Sequence, residues 1–196
     1  MKTHSFAQAK KKIIHGQLGY LVTQLGKRSW LFAGSFYLVK EQKYAIVDTL
    51  GGVGDIYMSM EELANHVIAV AWENGFDVSN LQLQKVLYFT LRNSKNILDE
   101  EEIKDTYDEP FLAWPYGPVA QRQNRRFRSF GCSPIIGIFD KAPKYEPLNP
   151  IILHFLKIDL FKMVDASHTH KFWKENSAAI KSGRRDIKYP LDEVLR

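Results

Sequence analysis

The residues able to do chemistry are few. His168-Thr169-His170 places two imidazoles two positions apart, a spacing that can chelate a metal on a strand but not on a helix. Asp165 is the nearest further ligand, and a buried or capping role suits these histidines better than a metal site. Ser167 and His168 are chain neighbours, whereas a nucleophile and its base usually meet in space from distant positions. Cys132 follows Gly131 at the expected end of a helix, where the negative dipole end would not lower a thiol pKa. Lys85, between Leu81 and Tyr88, could form a Schiff base, but the more ordinary reading packs its stem and gives its head a carboxylate. Gly51-Gly52-Val53-Gly54 lacks both the full dinucleotide spacing and the Gly-Lys-Ser/Thr end of a phosphate loop, and reads as a linker. No catalytic constellation, metal set or cofactor site assembles from these residues, and the chain reads as a non-enzyme.

The elements that must position these residues belong to two electrostatically different pieces. The chain has 196 residues and a net charge of +5, with one cysteine. A single cysteine excludes an internal disulfide framework and any cysteine-based zinc cluster, and a reducing cytoplasm is the expected compartment. The longest apolar-rich run, Trp30 to Val39, is shorter than the roughly 20 residues of a membrane helix, so no membrane partner is expected. Lys10-Lys11-Lys12 leads into Ile13-Ile14 and then polar residues, which is not a secretory signal. Residues 1–57 hold 8 basic and 3 acidic groups, and residues 58–196 hold 19 of each. All of the excess charge therefore lies in the first piece.

That first piece reads as a short helix over 6–15 and a β-hairpin, Trp30–Val39 and Tyr44–Thr49, turning at Lys40-Glu41-Gln42-Lys43. The second piece opens with Ser59 and Glu62 in capping-box spacing, followed by Leu63, Val67, Val70 and Ala71 at helical period and a terminating Gly75. Ser79 and Gln82 repeat the box and open a helix to about Asn96, with Leu83, Val86, Leu87, Thr90 and Leu91 as its apolar face. The short connection predicts that these two helices pack together. The acidic stretch 97–110 reads as a solvated face or loop, and Phe111–Trp114 as extended. Pro118 suits the first turn of a helix running to about Phe130, where Gly131 ends it. This helix buries Val119, Gln123, Phe127 and Phe130. It turns Arg122, Arg125, Arg126 and Arg128 mostly outward, and the nearby acids are expected to pair with them. Pro134–Phe139 reads as a short β run and Lys141–Pro150 as a loop. Asn149 would cap a helix from Pro150 that buries Ile152, Phe155, Leu156, Leu160 and Met163, and a last helix covers about His168 to Ser182. The expected fold is mainly α (α+β): a compact helical domain with one or two short strands, preceded by the small hairpin-containing segment.

Three segments together resemble one family. Ala64-Asn65-His66-Val67-Ile68 is followed by Leu81-Gln82-Leu83-Gln84-Lys85-Val86-Leu87-Tyr88-Phe89 and then by Trp114-Pro115-Tyr116-Gly117-Pro118-Val119. This order is similar to the Panacea domain, the SocA-like antitoxin family related to phage-associated GepA proteins. Ser167-His168-Thr169 with Trp173 resembles the family's late Ser-His and Trp elements. The likeness covers about residues 59–190. It implies a helical domain, working in the cytoplasm, that binds and neutralises a cognate protein toxin. It also implies, in one branch of the family, an adapter that delivers the toxin to a cytoplasmic AAA+ protease. Its motif residues here are Lys85, Tyr88, Tyr116, Gly117, Pro118, Arg122, His168 and Trp173.

In physical terms, Gly117 permits a tight backbone entry and Pro118 fixes φ for the helix. Tyr116 is expected to dock this turn on the first two helices. Lys85, Tyr88, Tyr116 and Arg122 are candidates for one shared toxin-binding surface, the other reading making them internal framework. A typical member of the family would start near Met58. This makes 1–57 either an accessory module, a partner-specific arm or a segment outside the native protein, the codons of Val53-Gly54-Asp55 being able to hold a ribosome-binding sequence. A second functional reading is a nucleic-acid-binding transcriptional regulator that uses the basic 1–57 segment.

Overall fold

The computed structural model describes residues 59–196 throughout and, within 1–57, only the backbone of five short strands. The chain divides into two units, Met1–Tyr57 and Met58–Arg196. The strands of the first are β1 (Gln24–Leu25), β2 (Ser29–Phe32), β3 (Ser35–Lys40), β4 (Lys43–Val47) and β5 (Val53–Asp55), in an antiparallel sheet of that order. The hairpin expected at Lys40–Lys43 is β3–β4, with Lys40 opposite Lys43. The long first strand of the expectation is two strands, β2 and β3, and part of the expected glycine linker is β5. The helix expected over 6–15 lies outside the described residues.

The second unit is built around one helix. α1 (Met60–Glu73) starts where Ser59 Oγ accepts the Glu62 N–H. It stops in a Schellman turn in which Gly75, at φ 73°, directs its N–H to Trp72 O while Phe76 N–H reaches Ala71 O. α2 (Asn80–Arg92) is capped by Ser79 accepting the Gln82 N–H at 3.3 Å. Both helices start at the predicted serines, but the reciprocal half of the Ser59 box is not made, because Ser59 N–H donates to Tyr145 Oη at 3.1 Å. The expectation of an amphipathic α2 is too modest, because every residue from Leu83 to Leu91 is buried. A helix buried all round must find internal partners for each polar side chain it carries.

The acidic stretch is more ordered than a loop. Asp99 and Glu102 close a reciprocal capping box, both bonds 2.8 Å, that starts α3 (Glu100–Thr106). β6 (Phe111–Trp114) and β7 (Gly117–Ala120) form an antiparallel hairpin across Pro115-Tyr116. The helix predicted from Pro118 is therefore corrected: residues 117–120 are strand, and helix α4 runs only from Gln121 to Arg126. Pro118 has no N–H to donate, but φ near −65° also suits a strand end, and its carbonyl is needed elsewhere. Pro134–Phe139 is likewise not a strand. It makes one bridge, Pro134 to Ser79, with Ile135 N–H on Val78 O at 2.8 Å.

The C-terminal helices also divide differently from the prediction. α5 (Asn149–Leu156) ends about two turns early, and Asp159 restarts the chain as α6 (Leu160–Thr169) by accepting from Phe161 and Lys162 N–H. Asn149 caps nothing; its Oδ1 lies 2.8 Å from His66 Nε2. The final predicted helix breaks at His170, an extended residue between α6 and α7 (Lys171–Lys181). α8 (Leu191–Leu195) completes the unit. Residues 187–189 run antiparallel beside β6, with Ala113 N–H on Ile187 O and Tyr189 N–H on Phe111 O, each 2.8 Å.

Tyr88, Tyr145 and Tyr189 are the largest fully buried side chains of the core. No helix among the described residues is long and apolar enough to cross a membrane.

Candidate functional site

The residues singled out by the motifs meet where α2, the β6–β7 hairpin and the α6–α7 junction converge. Lys85 is fully buried, and its Nζ donates to Pro118 O at 2.8 Å. The carboxylate partner expected for it is replaced by this backbone carbonyl, because β7 packs along α2 at that level. Burial without a counter-charge pushes the ammonium down to about 7. Gln84, one position earlier, accepts Ala120 N–H at 2.9 Å and donates to Asn80 Oδ1 at 3.2 Å. Two adjacent polar residues of α2 thus hold β7 at Pro118 and at Ala120. The sequence reading passed over Gln84, although a polar residue four positions after Asn80, on the turn that leads to Leu87 and Leu91, is the visible signal of an internal bond.

Gly117 has φ 92°, and an ideal Cβ placed on it would stand 2.2 Å from Ser167 Oγ and 3.0 Å from Lys85 Nζ. Glycine is required there for its conformation and for the close approach of α6. Ser167 is fully buried and gives its own proton to Val164 O at 2.7 Å.

The histidine pair is split by the helix break at His170. His168 stacks on Trp173, ring centroids 3.8 Å apart, with the Pro115 carbonyl beside it. Burial and the Lys85 charge hold its pKa below the ordinary histidine value. His170 Nδ1 lies 2.8 Å from Tyr88 Oη, and burial with Arg92 nearby lowers its pKa to about 4. The two rings serve different partners. No group of three or more histidine, cysteine or acidic side chains among the described residues is placed to hold a metal ion. Trp173 Nε1 donates to Trp114 O at 3.0 Å, which ties α7 to the hairpin.

Tyr88 is fully buried, with Phe111 and Tyr189 packed edge-on against its ring, and burial pushes its hydroxyl up to about 12. Lys85 and Tyr88 therefore cannot line an exposed surface, and the shared-surface expectation is corrected for both: α2 is the centre of the fold and has no solvent face at that level. Tyr116 does not dock the turn either. It is 59 % exposed, and the Gly117 backbone and Pro118 carbonyl make the docking contacts instead.

Arg122 is exposed and lies on a different element, α4. Its Nη2 meets Asp108 Oδ2 at 2.6 Å and its Nε meets Glu109 Oε2 at 3.3 Å. Glu109 is buried and also accepts the Arg122 N–H and Gln123 Nε2. The expected pairing of arginines with the acidic stretch holds for Arg122, while Arg126 pairs with Glu61 of α1 at 3.5 Å.

His66, the third residue of the first motif segment, is buried, with Nε2 on Asn149 and Nδ1 accepting the Ala142 N–H at 3.1 Å. Each motif segment thus carries a fixed internal bond, and the motif residue left most accessible, apart from the ion-paired Arg122, is Tyr116. The chain matches no protein-family model, no curated protein and no solved structure.

Proposed function

We propose that this chain is the antitoxin of a toxin–antitoxin system, acting in the cytoplasm by direct binding of a cognate protein toxin, in the manner of the Panacea family it resembles. The observation that carries the reading is the interlock of the motif segments. Lys85 of the second segment bonds Pro118 of the third, whose Gly117 packs on Ser167 of the late element, and Trp173 of that element bonds Trp114. Residues spread across more than 80 positions act as one joint, which supports reading them as a single motif. The joint is buried framework whose outward product is the rigid tip Pro115-Tyr116, and a rigid exposed aromatic suits binding another protein. Delivery of the toxin to a cytoplasmic AAA+ protease is the extension that the same resemblance suggests.

The test is co-expression with the small reading frame beside its gene. Restored growth with the full chain and with a chain lacking residues 1–57 supports the reading. A toxic neighbour that stays toxic in the presence of soluble, folded chain overturns it. Loss of function on removing 1–57, with DNA affinity that falls steeply with salt, would instead favour the regulator.

A further inference from the structure

We infer that the hairpin tip and the basic segment joined to it form one docking face for an acidic segment of a protein partner. The inference rests on the protein-binding reading above and adds the face and the chemistry it takes. The tip is held from below at several points: Gly117 against Ser167, Trp114 O by Trp173 Nε1, and Trp114 Nε1 on Arg185 O at 3.0 Å. Tyr116 is therefore exposed without being free to move its backbone, so little ordering cost attaches to burying it against a partner.

Residues 187–189 run antiparallel beside β6, with Lys188 opposite Leu112, and the Arg185 carbonyl accepts from the Trp114 indole. That bond sets the Arg185 backbone against Trp114, two residues before Tyr116, while Arg184 N–H closes the end of α7 on Ala179 O at 3.0 Å. The stretch 181–188 holds Lys181, Arg184, Arg185 and Lys188 against one acid, Asp186. Arg184 takes Asp186 at 2.8 Å, while Arg185 Nη1 turns onto the Ile180 and Arg184 carbonyls. Lys181 and Lys188 have no ion pair among the described residues. The stretch thus carries a residual +3 and is joined through Arg185 and Trp114 to the hairpin that bears the exposed Tyr116, in a unit whose 19 basic and 19 acidic groups cancel.

Charge complementarity selects an acidic partner. A short acidic segment suits this face better than nucleic acid, because the unit as a whole is neutral and offers a long polyanion no net attraction. Lys188 is exposed at its bridge to Leu112, where a lysine discourages unselective strand pairing along β6.

The test uses the full chain and three labelled probes: a fluorescein-tagged dodecapeptide of Asp, Glu and Leu, its Lys-for-acid counterpart, and a tagged oligothymidine of equal length. The expected result is saturable binding of the acidic peptide alone. Tyr116→Ala and Lys188→Glu should each weaken it at least tenfold, with Tm unchanged, and Arg125→Glu on α4 should leave it as it is. No saturable binding, tighter binding of oligothymidine, or equal weakening by Arg125→Glu overturns the inference. The probe assay needs no toxin, so a failure of neutralisation in co-expression would sink the antitoxin reading separately.

Discussion

Lys85 Nζ gives a proton to Pro118 O at 2.8 Å inside a region where neither residue meets solvent. The contact joins the central helix to a strand that begins with a left-handed glycine. It also places a basic group where no carboxylate balances it. Each property has a measurable consequence.

The first concerns charge. The ammonium, held at about 7 when folded, is near 10.5 when the chain is exposed. The unfolded chain therefore binds more protons between these values, and stability must rise as pH increases through that window. Below pH 7 both states are protonated and the penalty is complete and constant. From pH 7 to 9 the gain should approach about 2–3 kcal/mol, at about 1.4 kcal/mol per unit. Urea unfolding of the full chain at pH 7 and 9 measures it, and Lys85→Met should abolish this part of the slope. A slope unchanged in that variant would show that Lys85 is not the titrating group.

Gly117 supplies the second. Gly117→Ala must hold φ 92° with a methyl group 2.2 Å from Ser167 Oγ. Backbone strain and overpacking together should cost about 2–4 kcal/mol, read as a fall in Tm. Pairing it with Ser167→Gly removes the clash but not the strain, so the double variant should lose less than the sum of the two single changes. Strict additivity would mean that the two residues are not in contact.

How much of this joint could be read beforehand depends on what each residue reveals locally. The caps at Ser59 and Ser79 are written in three-residue spacings, and the Schellman glycine at Gly75 follows directly. Strand β7 is not so written. Pro118 fits a helix start as well as a strand, and the choice depends on Lys85 and Gln84, some 30 residues away, holding β7 by its backbone. Burial of Lys85 is hidden for the same reason: whether α2 has a solvent face depends on α5, α6, α8 and β7 packing around it, which no window along α2 contains. The break at His170 is similarly a tertiary choice, since Tyr88 takes its ring away from the helix line.

His170 gives the third prediction. Its folded pKa, about 4, lies below the ordinary 6.5, because burial and Arg92 disfavour the imidazolium. A histidine kept neutral by the fold contributes stability above its unfolded pKa and loses it as pH falls through 6.5 toward 4. The full chain should accordingly be destabilised progressively over that window. His170→Gln, which cannot titrate, should flatten the acid limb measured by thermal unfolding at pH 7, 6, 5 and 4. Tyr88→Phe should lower stability at neutral pH by about 1 kcal/mol through the lost hydrogen bond. An acid limb identical in His170→Gln would assign it to other groups.

The last prediction separates the two ends of one ion pair. Arg122 is exposed, so its attraction to Asp108 and Glu109 is screened by water, whereas the Glu109 carboxylate is buried and also accepts the Arg122 N–H and Gln123 Nε2. Removing the exposed partner leaves a carboxylate that still has amide donors, and Arg122→Ala should cost under about 1 kcal/mol. Removing the buried partner strands a backbone donor at the start of α4 together with a buried amide, and Glu109→Ala should cost about 2–3 kcal/mol. Raising salt to 1 M should narrow the gap between wild type and Arg122→Ala while leaving the Glu109→Ala deficit nearly intact. Equal costs for the two substitutions would mean that the surface charge pair, rather than the buried hydrogen bonds, fixes α4 against the acidic segment.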